Sequence, residues 1–168
     1  DTITLTGQGF DQVIDAGCSL NAGSAYKVEG SPAVYYITAA CTRRPFNNAP
    51  KFFTYFADWK EVNVVSQEAL DAIVDDSLGF MPWGELYEPL DGALVKTVTD
   101  PAVYLLITDT RNWIATEGVF NALGYAWDWI EDVTQKFLDK YELGVQVNDG
   151  DPRPNYTLIK YDGDVTTY

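Results

Sequence analysis

One ten-residue pattern occurs twice in this chain and begins a third time. Tyr26-Lys27-Val28-Glu29-Gly30-Ser31-Pro32-Ala33-Val34-Tyr35 returns as Val95-Lys96-Thr97-Val98-Thr99-Asp100-Pro101-Ala102-Val103-Tyr104. It starts again at Ile159-Lys160-Tyr161-Asp162-Gly163-Asp164-Val165-Thr166-Thr167-Tyr168, where the sequence stops. A repeat limits the architecture to one unit used more than once. Lys27, Lys96 and Lys160 lie about 65 residues apart, a spacing above the common solenoid periods, so each unit is expected to be a small subdomain.

The two full copies align well past the opening pattern. Arg43, Phe46, Phe52, Trp59, Val62, Val65, Ser66, Leu70 and Ile73 match Arg111, Ile114, Phe120, Trp127, Ile130, Val133, Thr134, Leu138 and Tyr141 at a constant offset. Gly79 and Gly144, the last matched positions, read as the stop of the second short helix of each unit. Residues 33–37 and 102–107 are β-branched and aromatic runs behind a proline, as at the first residue of a strand. Flanking strands are expected over residues 25–28 and 93–98, and around 43–46 and 111–114.

The second half of each unit reads as helix. The run Asn47-Asn48-Ala49-Pro50, which places a capping Asn just before a Pro, and Thr116-Glu117 in the second copy are N-cap signals. Phe52, Phe53 and Phe56, or Val119, Phe120 and Leu123, then follow at helical spacing. Ser66 and Thr134 read as caps of a further short helix. The expected fold class is α+β: two tandem pseudo-repeats, each a small antiparallel β-meander followed by short helices, with terminal β-strand segments. The divisions are 1–24 as an N-terminal strand and extension, 25–79 and 92–144 as repeats, 80–91 as a linker, and 145–168 as a linker with a partial third repeat, a β-hairpin.

Composition narrows the function. Eleven Lys and Arg against 25 Asp and Glu give a net charge of −14, which argues against nucleic-acid and anionic-membrane partners. The absence of histidine removes Ser-His-Asp and Cys-His triads, most catalytic zinc sites and the ordinary pH switch. No spacing of carboxylates points to a catalytic pair, no cofactor is expected, and the reading is not an enzyme. No apolar run reaches the length of a membrane helix, so no membrane insertion is expected. A first residue that is Asp1 rather than Met suggests export after signal-peptide removal. Cys18 and Cys41 fit that setting as a disulfide, the alternative being two unrelated buried thiols.

Trp59 and Trp127 occupy the same place in each copy and read as core between helix and sheet, with a sugar-stacking platform as the sharper alternative. Trp83, Trp113 and Trp129 have no counterpart and are candidates for an exposed contact surface. The repeated Lys27, Lys96, Lys160, Arg43 and Arg111 are expected to pair with local carboxylates. Asn148-Asp149-Gly150-Asp151 and Asp162-Gly163-Asp164 lack the full spacing of a calcium loop and read as turns.

The series Leu94-Val95-Lys96, Pro101-Ala102-Val103-Tyr104, Arg111, Phe120, Gly124-Tyr125, Trp127, Ile130, Val133, Leu138, Tyr141 and Gly144 resembles a short tandem repeat of exported bacterial envelope proteins, many of them in uncultivated small-genome phyla. No chemical activity is established for such repeats. The resemblance implies a cell-surface or secreted setting and a binding or structural role.

The two ends suggest how copies meet. Thr2, Ile3, Thr4, Leu5 and Thr6 alternate as a strand does, and Leu158, Ile159, Tyr161, Val165 and Tyr168 lie on a strand-turn-strand segment. They pair within one molecule, or between molecules head to tail, or the chain is a piece of a longer array. The leading expectation is an extracellular structural subunit assembling into a filament or surface array, a homopolymer of itself. The alternative is a module that binds cell-wall glycan. Asn155 opens a glycosylation triplet, Asn155-Tyr156-Thr157.

Overall fold

The computed structural model describes residues 18–148. The terminal candidates, Thr2 to Thr6, Asn155 and Leu158 to Tyr168, lie outside the described residues. The first unit contains β1 (Ala25–Val28), β2 (Tyr35–Ile37), β3 (Thr42–Pro45), α1 (Ala49–Phe53), β4 (Val62–Val65), α2 (Gln67–Asp71) and β5 (Val74–Asp75). The second repeats the order with β6 (Leu94–Thr97), β7 (Tyr104–Ile107), β8 (Thr110–Trp113), α3 (Glu117–Ala122), β9 (Ile130–Val133), α4 (Gln135–Leu138) and β10 (Glu142–Leu143). The fold is α+β, built of two similar halves.

Each half holds a five-stranded mixed sheet, ordered β4-β1-β2-β3-β5 and β10-β8-β7-β6-β9. The expected antiparallel meander is its centre. The structure adds a parallel strand on either side: β4 beside β1 and β5 beside β3, and likewise β9 beside β6 and β10 beside β8. A parallel partner requires a crossover. In the first half, α1 with the 3-10 turn Trp59–Glu61 carries the chain to β4, and α2 carries it on to β5.

Alternation along the strands puts a helix on each face. Ala25 packs with Val34 and Phe52 under α1, while its neighbour Tyr26 packs with Ile37, Leu70 and Ile73 under α2. Leu94 faces Phe120 of α3, and Val95 faces Phe137 and Leu138 of α4. Covering on both sides is why Tyr104-Leu105-Leu106-Ile107 reads as an unbroken apolar run. Helices of four to six residues are too short to hold by themselves. Burial of Phe52, Phe120 and Phe137, about 2–3 kcal/mol each, fixes them to the sheets. The caps work as expected: Asn48, Ser66, Thr116 and Thr134 each accept the backbone N–H three residues on.

The two stop glycines do not correspond as expected. Arg43 O accepts from Asp76 N at 2.9 Å, and Arg111 O accepts from Gly144 N at 3.0 Å. The counterpart of Gly144 is therefore Asp76, not Gly79. The chain then rejoins the same path, Met81 N donating to Pro45 O and Val147 N to Trp113 O, both at 2.9 Å. Residues 77–80 make a longer loop than residues 145–146. Buried Arg44 fills it, donating to the carbonyls of Leu78, Gly79 and Phe80. The equivalent strand position carries Asn112, which packs so tightly that a Cβ at Gly144 would lie 2.3 Å from its Oδ1.

Candidate functional site

Two surfaces attract attention: the joint between the halves and the exposed tryptophans of the second half. The linker 80–91 is not a free spacer. Trp83 N donates to Asp132 O at 2.8 Å and Thr134 N donates to Trp83 O at 2.9 Å, a parallel bridge that adds one rung beside Val133 of β9. The Trp83 ring stacks on Tyr87 with centroids 4.1 Å apart, and Tyr87 leans on Phe137. The Tyr87 hydroxyl donates to the Glu131 carboxylate. Burial, then that bond, push its ionisation far above the usual tyrosine range.

The other side of the linker grips the first half. Tyr55 donates its hydroxyl proton to Pro82 O at 2.9 Å, and Gly84 N donates to Thr54 Oγ1 at 2.8 Å. Only glycine fits at position 84, because a Cβ there would stand 2.6 Å from Thr54 O. Lys51 sits 5.7 Å over the Trp83 ring, and Lys136 pairs with Glu85 at 3.2 Å. One short segment thus makes backbone bonds to both halves. Nothing in periodicity could have found it, since a single bridging residue has no period.

The corresponding edge of the first half is different. β4 matches β9, yet among the described residues no bridge forms on its outer side, and Val64 is 56% exposed.

Cys18 and Cys41 are joined, with Cα atoms 5.5 Å apart. The bond holds residue 18 against the β2–β3 turn, and both cysteines pack on the Tyr26–Ile37–Leu70–Ile73 cluster. Ion pairs form at three of the repeated cations: Arg43 with Asp71 and Asp75, Lys96 with Asp132 at 2.6 Å, and Arg111 with Asp139. Among the described residues no helix is long and apolar enough to cross a membrane.

The tryptophans correct one expectation. Trp59 and Trp127 are not core: they are 46% and 53% exposed. Each lies with one face on the buried Phe of its helix, centroids 4.1 Å and 4.3 Å apart, and turns the rest outward. Trp113 and Trp129, also exposed, do not share a site. Trp113 lines a groove of about 430 Å³ with Trp127, Val103 and Phe120, rimmed by Asp100 and Glu117. Trp129 lines a separate hollow of about 250 Å³ with Tyr87, Tyr125 and Glu131, beneath the linker. That Trp113 on β8 and Trp127, in the 3-10 turn Trp127–Trp129, line one groove was hidden in sequence, where α3 separates them.

No family model matches this sequence, no curated protein matches it, and no solved structure matches its fold.

Proposed function

We propose that the chain is a non-catalytic structural subunit of an extracellular surface, and that copies join head to tail through segments at their ends. The observation that carries this is the Trp83 joint. One half hands an extended residue to the outer edge of the next half's sheet, and stacked aromatics and an ion pair lock it there. The exit path and the receiving edge are found again at the ends of the pair. The chain leaves the second half after Val147 by the path it takes out of the first half at Met81. The first half offers β4, the counterpart of the strand that receives Trp83. A donor at one end and an acceptor at the other make a heterologous contact, which propagates unless it closes into a ring. The disulfide supports an oxidising, exported setting.

Sedimentation velocity and negative-stain electron microscopy across a concentration series test the reading. The parent chain is expected to form linear polymers. Val64→Lys places a charge on the exposed edge strand, as natural edges do to block pairing. It should stop growth without changing the circular dichroism spectrum or the melting temperature. Truncation after Asn148, which removes the segment that would be donated, is expected to do the same. A parent chain that stays monomeric at its highest attainable concentration overturns the proposal, and so does a Val64→Lys chain that polymerises like the parent.

A further inference from the structure

The groove between Trp113 and Trp127 has features that assembly does not require. An indole left half in water forgoes burial worth about 25 cal/mol per Å² of apolar surface, so two neighbouring exposed indoles ask for a reason. The first half supplies a comparison within the same molecule. It keeps the sheet, the helix, the stacked Trp59 and the proline of the opening pattern. Yet it carries Pro45 where the second half has Trp113, Ser31 for Asp100, and Ala49 for Glu117. The scaffold therefore folds without the residues that give the groove its second aromatic wall and its acidic rim.

We infer that this groove binds a neutral oligosaccharide. The shape and chemistry agree on that class. The floor and walls are flat and apolar, made of Trp113, Trp127, Val103 and Phe120. Such faces suit the C–H face of a pyranose ring, as they suit other flat apolar partners. The polar groups stand at the rim: the Asp100 and Glu117 carboxylates accept, and the Thr116 hydroxyl, whose oxygen takes the Val119 N–H, has a proton to donate. Asp100 uses Oδ1 to take the Ala102 N–H at 2.9 Å, and a carboxylate has a second oxygen to offer a sugar hydroxyl.

The groove continues past Trp127 into a second hollow of about 480 Å³, sharing Asp100, Pro101 and Val103. There Lys96 pairs with Asp132 at 2.6 Å, so the lining carries one net negative charge, that of Asp100. Both volumes fall in the range of small-ligand clefts, and together they give room for more than one ring. The acidic rim and the overall charge repel anionic polymers.

The test is titration of the full disulfide-bonded chain with gluco-, manno-, xylo- and N-acetylglucosamine oligomers, followed by calorimetry and tryptophan fluorescence. At least one oligomer should bind and should shift the fluorescence. Trp113→Ala and Asp100→Ala should each weaken binding about tenfold. Trp59→Ala and Trp129→Ala, which lie outside the groove, should leave it within error. Thermal melts identify any variant that has lost its fold, and Trp113→Phe then serves in place of Trp113→Ala, with partial retention expected. Silence across the whole panel overturns the inference. So does binding that Trp113 and Asp100 variants do not weaken, or a preference for oligolysine over every sugar.

Discussion

Two residues at one structural position show how far the halves have diverged without losing their frame. Asp76 and Gly144 make the same backbone bond to the third strand. Asp76 also accepts from the Thr42 hydroxyl and, at 2.8 Å, from Leu78 N. The Thr42 bond first, then the Leu78 N–H and the nearby Arg44, outweigh the small desolvation and hold its carboxyl below the usual aspartate range. A depressed native pKa means stability that is present above the unfolded value, about 3.9, and lost as pH falls through the native value. Urea midpoints followed from about pH 5 to about pH 2 should therefore fall for the parent. They should fall less steeply for Asp76→Asn, which starts lower at neutral pH. Equal slopes would remove Asp76 from the acid response. Gly144 has no such group, and Asn112 fills the space a side chain would need.

At the scale of elements, the recurring arginine is a clamp between strand and helix. Arg43 on β3 donates to Leu70 O at 2.7 Å, and Arg111 on β8 donates to Leu138 O at 2.9 Å. Each guanidinium also meets a carboxylate at the end of that helix, Asp71 or Asp139, and lies over Tyr35 or Tyr104. A cation on the last carbonyls suits the helix C-terminus. Loss of the charged hydrogen bond in Arg111→Ala should cost about 2 kcal/mol in urea unfolding. Arg111→Lys should recover less than half, because an ammonium cannot span carbonyl, carboxylate and ring together. Full recovery by lysine would reduce the clamp to simple charge. The arginine pair was legible in the sequence, as were the caps and the meander strands. β4 and β9 were not, although Val62-Asn63-Val64-Val65 has the β-branched density of a strand. Four-residue parallel strands between short helices present the same apolar positions that a helix pair would, and only the pairing partner far back in sequence separates the two readings. β5 and β10, of two residues each, carry too little pattern to be read at all.

For the molecule as a whole, the linker makes two repeats into one folding unit. Neighbouring repeats share stability through their interface. Trp83 supplies the bridge, the stack on Tyr87 and the site for Lys51. Trp83→Ala should remove about 2 kcal/mol of coupling and split one calorimetric transition into two. Reduction of Cys18–Cys41, which closes a loop with a sequence separation of 23, should then lower only the first-half transition, by about 3 kcal/mol. A Trp83→Ala chain that still melts in one step would show that the halves are coupled by other means. The disulfide has a mechanical side as well. Pulled from its two ends, the molecule cannot pay out the residues enclosed by Cys18 and Cys41, roughly 80 Å of extended backbone. The first half lengthens less under load than the second, so a strand under tension would give way at the unbridged repeat while the bridged one kept its β1–β2 hairpin.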